Sequence, residues 1–313
     1  LLLSDLSDIH SQMSITADEI AAQPALWRRA AAMADDLSGV LPAAGERTCI
    51  VGCGTSLFMA RAVAALREAA GLGEVDAFAA SELPEGRRYD VVVAISRSGT
   101  TTEVARALGR VQAGRTVAIT AVPGTPVPGA ADHVVDLGFA DEESVVQTRF
   151  ATTVLALLRA QVDPAAVEAA ADDAERALQA PLPIDVAVHG EQITFLGRGW
   201  SCGLADEAGL KLREAAQAWT EAYPVFEYRH GPISIAAPGR VVWALTALDA
   251  PIVAQIEATG ATLVCPDLDP MASLVLAQRT AVALAESRGL NPDLPRNLTR
   301  SVVLTDEELE VLN

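Results

Sequence analysis

YDVVVAISRSGTTTEVARALGRVQAG, residues 89–114, is an apolar run of strand length that breaks into a hydroxyl-rich loop and then into a segment of helical spacing. The same order stands just before it. TCIVGCGTS (48–56) is a buried-type strand entering a Gly/Ser/Thr turn, and LFMARAVAALREAAG (57–71) is a helix closed by glycine. EVDAFAASEL (74–83) supplies a short strand and loop between the two, RTVAITAVPG (115–124) a further strand, and ADHVVDLGF (131–139) an edge-like one. This alternation predicts α/β architecture with a mainly parallel sheet flanked by helices.

The flanking sequence places this unit in a longer plan. ITADEIAAQPALWRRAAAMADDLSGVLPAAG (15–45) has helical spacing, and SVVQTRFATTVLALLRAQV (144–162) predicts one long apolar helix. DPAAVEAAADDAERALQAPLP (163–183) reads as an acidic, Ala-rich helix that ends before Pro181 and Pro183, a connector between two domains. After it the first arrangement restarts. QITFLGRGWSCGLADEAGLKLREAAQAW (192–219) is strand, Gly-containing turn and helix, and VVWALTAL, PIVAQIEATG and ATLVCP continue as strand, helix and strand. The expected division is a helical preface over 1–35, a first α/β unit over 36–165, a connector over 166–185, a second α/β unit over 186–290 and a tail over 291–313.

The 313 residues are half hydrophobic, and 39 are Gly or Pro, which excludes collagen-like and low-complexity classes. With 23 Lys and Arg against 41 Asp and Glu, the net charge of −18 disfavours nucleic acid or an anionic membrane as a partner, so an anionic ligand needs a local site. The apolar stretches are too short or too interrupted by charge for a membrane-spanning helix. Cys49, Cys53, Cys202 and Cys265 lack metal or CxxC redox spacing, and no secretion signal opens the chain, so a reduced cytoplasmic setting is expected.

Two loops have the chemistry of anion binding. Thr55 and Ser56, after Cys53 and Gly54, bring hydroxyls to a helix N-terminus, and Ser96, Arg97, Ser98, Gly99, Thr100 and Thr101 bring several donors and a cation to another. GCGTSLF has only the first two glycines of a GxGxxG dinucleotide fingerprint, and no GxxxxGK[ST] loop is present, so neither NAD nor a nucleoside triphosphate is expected and no cofactor is implied. A small phosphorylated metabolite fits better.

Glu207, Lys211 and Glu214, spaced four and three residues apart, share one face of a predicted helix, either as an acid, cation and acid beside a substrate or as a solvated ion-pair face. Arg213 neighbours Glu214 without having to share its face. His230, in FEYRHGPISI (226–235), sits in a polar turn that reads either as a site for proton transfer or, as for most lone histidines, as a surface or satisfied-core residue, whereas His10, His133 and His189 have less support still. The four histidines lack metal-ligand spacing, so no metal site is expected. Cys53 and Cys202 read as structural thiols, and Trp200 and Trp219 as core fillers in preference to a sugar platform.

Taken in order, MSITADEIAAQP (13–24), GCGTS (52–56), ASE (80–82), ISRSGTTTE (95–103), EESVVQTR (142–149), GRG (197–199), DEAGLKLRE (206–214), EAYPVFEYRHGP (221–232) and PRNLTRS (295–301) resemble the sugar isomerase (SIS) family. The likeness is to the isomerase half of glutamine:fructose-6-phosphate aminotransferase and to stand-alone phosphosugar isomerases and deaminases. It implies two SIS domains, a phosphate loop at Ser96, Arg97, Ser98 and Thr101, and Thr55 and Ser56 near the sugar phosphate. It further implies Glu214 as the acid/base for proton movement between sugar carbons 1 and 2, Glu207 and Lys211 as completing that face, and His230 as the ring-opening acid/base from the neighbouring subunit of a homodimer.

Two departures bear on the reaction. The sequence holds no glutamine-hydrolysing domain, so no internal ammonia source is expected, and Arg300 in PRNLTRS replaces the family's imine-forming lysine of PRNLAKS. Arginine stays protonated and is a poor nucleophile, though it can bind an anion. QTR at 147–149, in place of STK, also bears on substrate fit. The expected function is therefore isomerisation or deamination of an amino- or amine-substituted hexose 6-phosphate. The alternative is a non-catalytic sugar-phosphate sensor.

Overall fold

The computed structural model describes residues 14–84, 86–305 and 307–308; His10 and the last five residues lie outside them. In chain order the elements are α1 (Ile15–Ala21), α2 (Gln23–Ala31), β1 (Thr48–Gly52), α3 (Thr55–Ala69), β2 (Val75–Ala79), β3 (Arg88–Ile95), α4 (Thr102–Arg110), β4 (Gln112–Thr120), α5 (Pro126–Gly129), β5 (His133–Asp136) and α6 (Arg149–Ala160). There follow α7 (Pro164–Gln179), α8 (Ile184–His189), β6 (Ile193–Gly197), α9 (Ser201–Ala216), β7 (Thr220–Pro224), β8 (Val241–Ala244), α10 (Ala250–Ala258), β9 (Thr262–Val264) and α11 (Pro270–Ser287).

The strands form two parallel sheets, in the orders β2-β1-β3-β4-β5 and β7-β6-β8-β9. Their apolar runs follow from burial on both faces. In β3, Val91, Val93 and Ile95 enter the large core, while Val92 and Ala94 enter a second cluster with Val104, Ala107 and Leu108 of α4. In β8, Val241 and Trp243 face the large core, and Val242 and Ala244 pack with Ile252 and Ile256 of α10. The large core draws on both sheets, so α3, α6, α9 and α11 lie in apolar material shared by the two units.

Both units end their first strand with the same device. Gly54 and Gly199, at φ +54° and +56°, turn the chain from β1 into α3 and from β6 toward α9 through a left-handed conformation that a side chain would strain.

Three features differ from the sequence expectation. The long helix over 144–162 begins only at Arg149, because one Glu142 carboxylate oxygen accepts from the Thr148 and Arg149 amides and from the Thr148 hydroxyl, which caps the helix there. The connector segment forms the expected helix, α7, and adds a burial its acidic composition did not announce: Val167, Ala170, Ala171, Ala174 and Ala177 lie in the core against α2 and α11. Trp219 is 67% exposed and fills no core: it follows Gln217, whose left-handed φ of +52° ends α9 and turns the chain into edge strand β7. Trp200 is partly buried, with the Arg159 guanidinium 4.7 Å above its ring.

The preface is integrated as well. Glu19 of α1 accepts from the Glu143 amide at 2.6 Å and from the Ser144 amide and hydroxyl, fixing the segment before α6. Trp27 of α2 donates to the Thr152 hydroxyl at 2.9 Å, and Gln23 donates to Gln278 of α11 at 2.7 Å. Among the described residues no helix is long and apolar enough to cross a membrane.

Candidate active site

A cavity of about 230 Å³ opens where the C-terminal end of β1, the 96–101 loop, the segment before α6, the middle of α9 and the tail converge. Its walls carry Thr55, Thr101 and Glu103, then Val145 and Gln147, then Lys211 and Glu214, and along the tail Leu298 to Val302.

The catalytic-type groups come from α9. The i, i+4 and i, i+3 spacing stacks Glu207, Lys211 and Glu214 along one face, turned to α3. Lys211 Nζ lies 3.4 Å from Glu207 Oε1, 2.5 Å from Glu214 Oε2 and 3.1 Å from the Thr55 hydroxyl, which itself donates to Glu207 Oε1 at 3.3 Å. Glu207 and Lys211 are each 1% exposed, so this is no solvated ion-pair face. Glu214 sits at the rim and also lines an adjoining open cavity with Leu298 and Asn297.

Burial pushes the Glu207 carboxyl up to about 8, Lys211 opposing this and Glu214 reinforcing it. Burial acts to lower the Lys211 value, but the two carboxylates outweigh it and the ammonium is held above its ordinary range. The cluster therefore presents a protonated lysine between one proton-retaining acid and one acid open to the cavity.

The loop between β3 and α4 is tied largely by hydroxyls. Thr100 donates through its amide and hydroxyl to Ser98 Oγ, at 3.2 and 3.0 Å, and the Ser96 and Thr101 hydroxyls lie 3.4 Å apart. Ser301 of the tail joins this set, 3.1 Å from Ser98 Oγ and 2.9 Å from Thr100 Oγ1. The N-terminus of α4 adds its dipole at the same place, which favours an anion.

Of the residues expected from sequence, Thr55, Thr101, Lys211, Glu214 and Arg300 meet at this cavity, with Glu207 directly behind. Ser96, Ser98 and Ser56 are buried beside it, the last in the first turn of α3. Arg97 does not reach the wall: it is buried, and its guanidinium is bonded to backbone carbonyls. Arg300 carries its charge to Asp141 at 2.5 Å and also donates to the Glu142 carbonyl. His230 ends a short 3-10 helix, Glu227–His230, where it is exposed and away from the cavity of its own chain. Burial raises the Cys53 thiol to about 11 and raises Cys202 also, which leaves neither a ready nucleophile.

Sequence reasoning did not single out Glu103 or Ser301, and it flagged Gln147 only as part of QTR at 147–149. Glu103 Oε2 and Gln147 Oε1, both from wall residues, are buried acceptors with no hydrogen-bond partner among the described residues, as suits a ligand rich in O–H or N–H donors. Gln147 opens the QTR departure expected to bear on substrate fit, and it does line the cavity, whereas nothing in PRNLTRS marks Ser301 as a wall residue.

Residues 43–161 match the SIS domain family model. Over 96% of its length the chain is 28% identical to the glutamine–fructose-6-phosphate aminotransferase (isomerizing) of Aeropyrum pernix, covering 57% of that protein. It is also 28% identical to the enzyme of the same name from Sulfolobus acidocaldarius, over 82% of this chain and 50% of that one. The chain thus spans about half the length of the curated relatives it matches. Among solved structures, glucosamine-6-phosphate deaminase from Thermotoga maritima superposes with a TM-score of 0.78 at 25% identity, over 93% of this chain and all of that one. The tagatose-6-phosphate ketose/aldose isomerase of Escherichia coli, 19% identical, shares the fold with a TM-score of 0.74 over 94% and 97% of the two chains.

Proposed function

We propose that this chain, a member of the SIS-domain family, is a cytoplasmic phosphosugar isomerase or deaminase acting on an amino- or amine-substituted hexose 6-phosphate. The carrying observation is the Glu207–Lys211–Glu214 face of α9, which opens into a cavity ending at the hydroxyl loop 96–101. The phosphate would be held by Ser96, Ser98 and Thr101 with Thr55 and Ser56 nearby, and Arg300 supplies a cation at the rim.

Glu214 is the base. It removes the proton from carbon 2 of the open-chain 2-amino aldose and returns it to carbon 1 while an amine N–H proton passes to O1, so the aldehyde becomes a primary alcohol and the carbon 2 amine an imine. Water then adds to that imine and ammonia or the free amine leaves, giving a ketose phosphate. Lys211 stabilises the negative charge on Glu214 and on the sugar oxygens as the proton moves. An exposed His230 supports a ring-opening role across a homodimer, where the imidazole of a second copy would reach the cavity.

The test is a time-resolved assay of glucosamine 6-phosphate, galactosamine 6-phosphate, fructose 6-phosphate and fructosamine-type 6-phosphates, with Glu214→Gln as control. Turnover that the control lowers by about 100-fold or more supports the reading. Tight binding without turnover would replace it with the sensor, a reading that Arg300 at the imine-lysine position favours.

A further inference from the structure

We infer that Arg97 is a positioning residue which latches the C-terminal tail to the phosphate loop, and that it does not touch the phosphate itself. This rests on the cavity being the sugar-phosphate site. The backbone of Arg97 belongs to the loop, yet its side chain runs inward, where it is 1% exposed. There Nη1 donates to the Ser144 and Val145 carbonyls at 3.0 and 3.4 Å, and Nη2 donates to the Arg300 carbonyl at 2.8 Å. The Glu142 carboxylate, fully buried, stands 3.7 Å away and supplies the countercharge.

These contacts join three separate stretches of the cavity wall: the loop itself, the 145–147 segment and the tail at 298–302. A planar fork of donors spans carbonyls from two of these stretches at once, whereas a lysine ammonium on a flexible stem is a point donor. The tail bond is reinforced from the next residue, since Ser301 Oγ contacts Ser98 and Thr100. Farther along, Thr102 donates its amide to the Val302 carbonyl at 3.4 Å, and the Leu304 amide donates to Thr102 Oγ1 at 3.0 Å. The tail therefore runs beside the start of α4, and the Arg97–Arg300 bond fixes where it begins to do so.

Arg97→Gln and Arg97→Lys, compared with wild type by amide hydrogen exchange, kinetics and inorganic phosphate binding, test this. The latch predicts exchange at the Thr102 and Leu304 amides about tenfold faster in both variants. It predicts KM for the sugar phosphate about tenfold higher with kcat within about threefold. Inorganic phosphate affinity should stay within about twofold, because a direct ligand would instead lose a charge-assisted bond and weaken phosphate about tenfold or more. Unchanged exchange in a folded variant overturns the inference, as does full rescue by lysine or a parallel loss of phosphate binding. Should Arg97→Gln lose its circular dichroism signature, Arg97→Lys carries the same exchange test. If wild type turns over none of the sugar phosphates, the proposed function fails while the exchange data still decide the latch.

Discussion

Thr55 Oγ1 lies 3.1 Å from Lys211 Nζ, joining the first turn of α3 in one α/β unit to the middle of α9 in the other. This contact depends on how closely the two helices approach. The crossing is at Gly203, where an added Cβ would stand 2.4 Å from the Phe58 carbonyl oxygen and 3.0 Å from the Ala62 amide nitrogen. Backbone atoms cannot give way as a flexible side chain does.

Gly203→Ala should therefore push α3 from α9 at a distance from the chemistry. The expected cost is about 1–3 kcal/mol of stability, as for overpacking elsewhere. Activity should fall further than stability predicts, since Thr55 would be drawn off Lys211. Equilibrium urea unfolding and kcat/KM at a temperature where the variant is fully folded separate the two. Unaltered kcat/KM in the folded variant would show that the helix approach does not set the site.

Lys211 is the only cation placed between Glu207 and Glu214 among the described contacts. At pH 9, above the Glu207 value, Lys211→Met leaves the buried Glu207 carboxylate and the Glu214 carboxylate at the rim without it, and breaking such a buried pair costs about 3 kcal/mol or more. Adding Glu207→Gln should recover part of that loss, because the carboxyl with least access to water is then already neutral. Thermal melts of the two single variants and the double variant form the cycle. Strict additivity would mean that Lys211 and Glu207 are not coupled.

The raised Glu207 carboxyl also fixes the direction of a pH effect. Its folded value of about 8 lies above the ordinary 4.5, so folding favours proton uptake. Its contribution is complete below pH 4.5 and is lost as the pH climbs to about 8, by at most roughly 1.4 kcal/mol per pH unit. The raised Lys211 value acts above its ordinary 10.5, outside that window. Wild type should thus lose stability relative to Glu207→Gln between pH 5 and 8. A constant difference across that range would show that Glu207 does not take up a proton on folding.

The sheets were legible because parallel strands buried on both faces are short continuous apolar runs, as in VVVAI and TCIVG. β7 was not: TEAYP is an edge strand with a Glu, a Tyr and a closing Pro, and it has neither an apolar run nor clean alternation. The α9 face was legible from spacing alone, but its burial depends on α3 and Gly203. Arg97 shows the limit most clearly. Beside Ser96 and Ser98 it has the composition of a phosphate ligand, yet its partners are backbone carbonyls 47, 48 and 203 residues away, and a carbonyl is the same in every sequence.

Arg300 offers a chemical test of the tail. Its guanidinium bonds Asp141 and the Glu142 carbonyl, and it cannot supply the neutral amine that imine formation requires. Wild type incubated with fructose 6-phosphate and borohydride should therefore gain no covalent sugar phosphate by intact-protein mass spectrometry. Arg300→Lys places a primary amine on the same stretch of tail, where a fraction deprotonated at pH 8–9 can attack the ketose carbonyl, lose water and be fixed by reduction. The variant is expected to gain one sugar-phosphate adduct, which peptide mapping places at position 300 and which excess inorganic phosphate suppresses. Labelling of wild type would show that another amine serves as nucleophile. Absence of labelling in a folded Arg300→Lys variant that still binds fructose 6-phosphate would place residue 300 beyond reach of the sugar carbonyl.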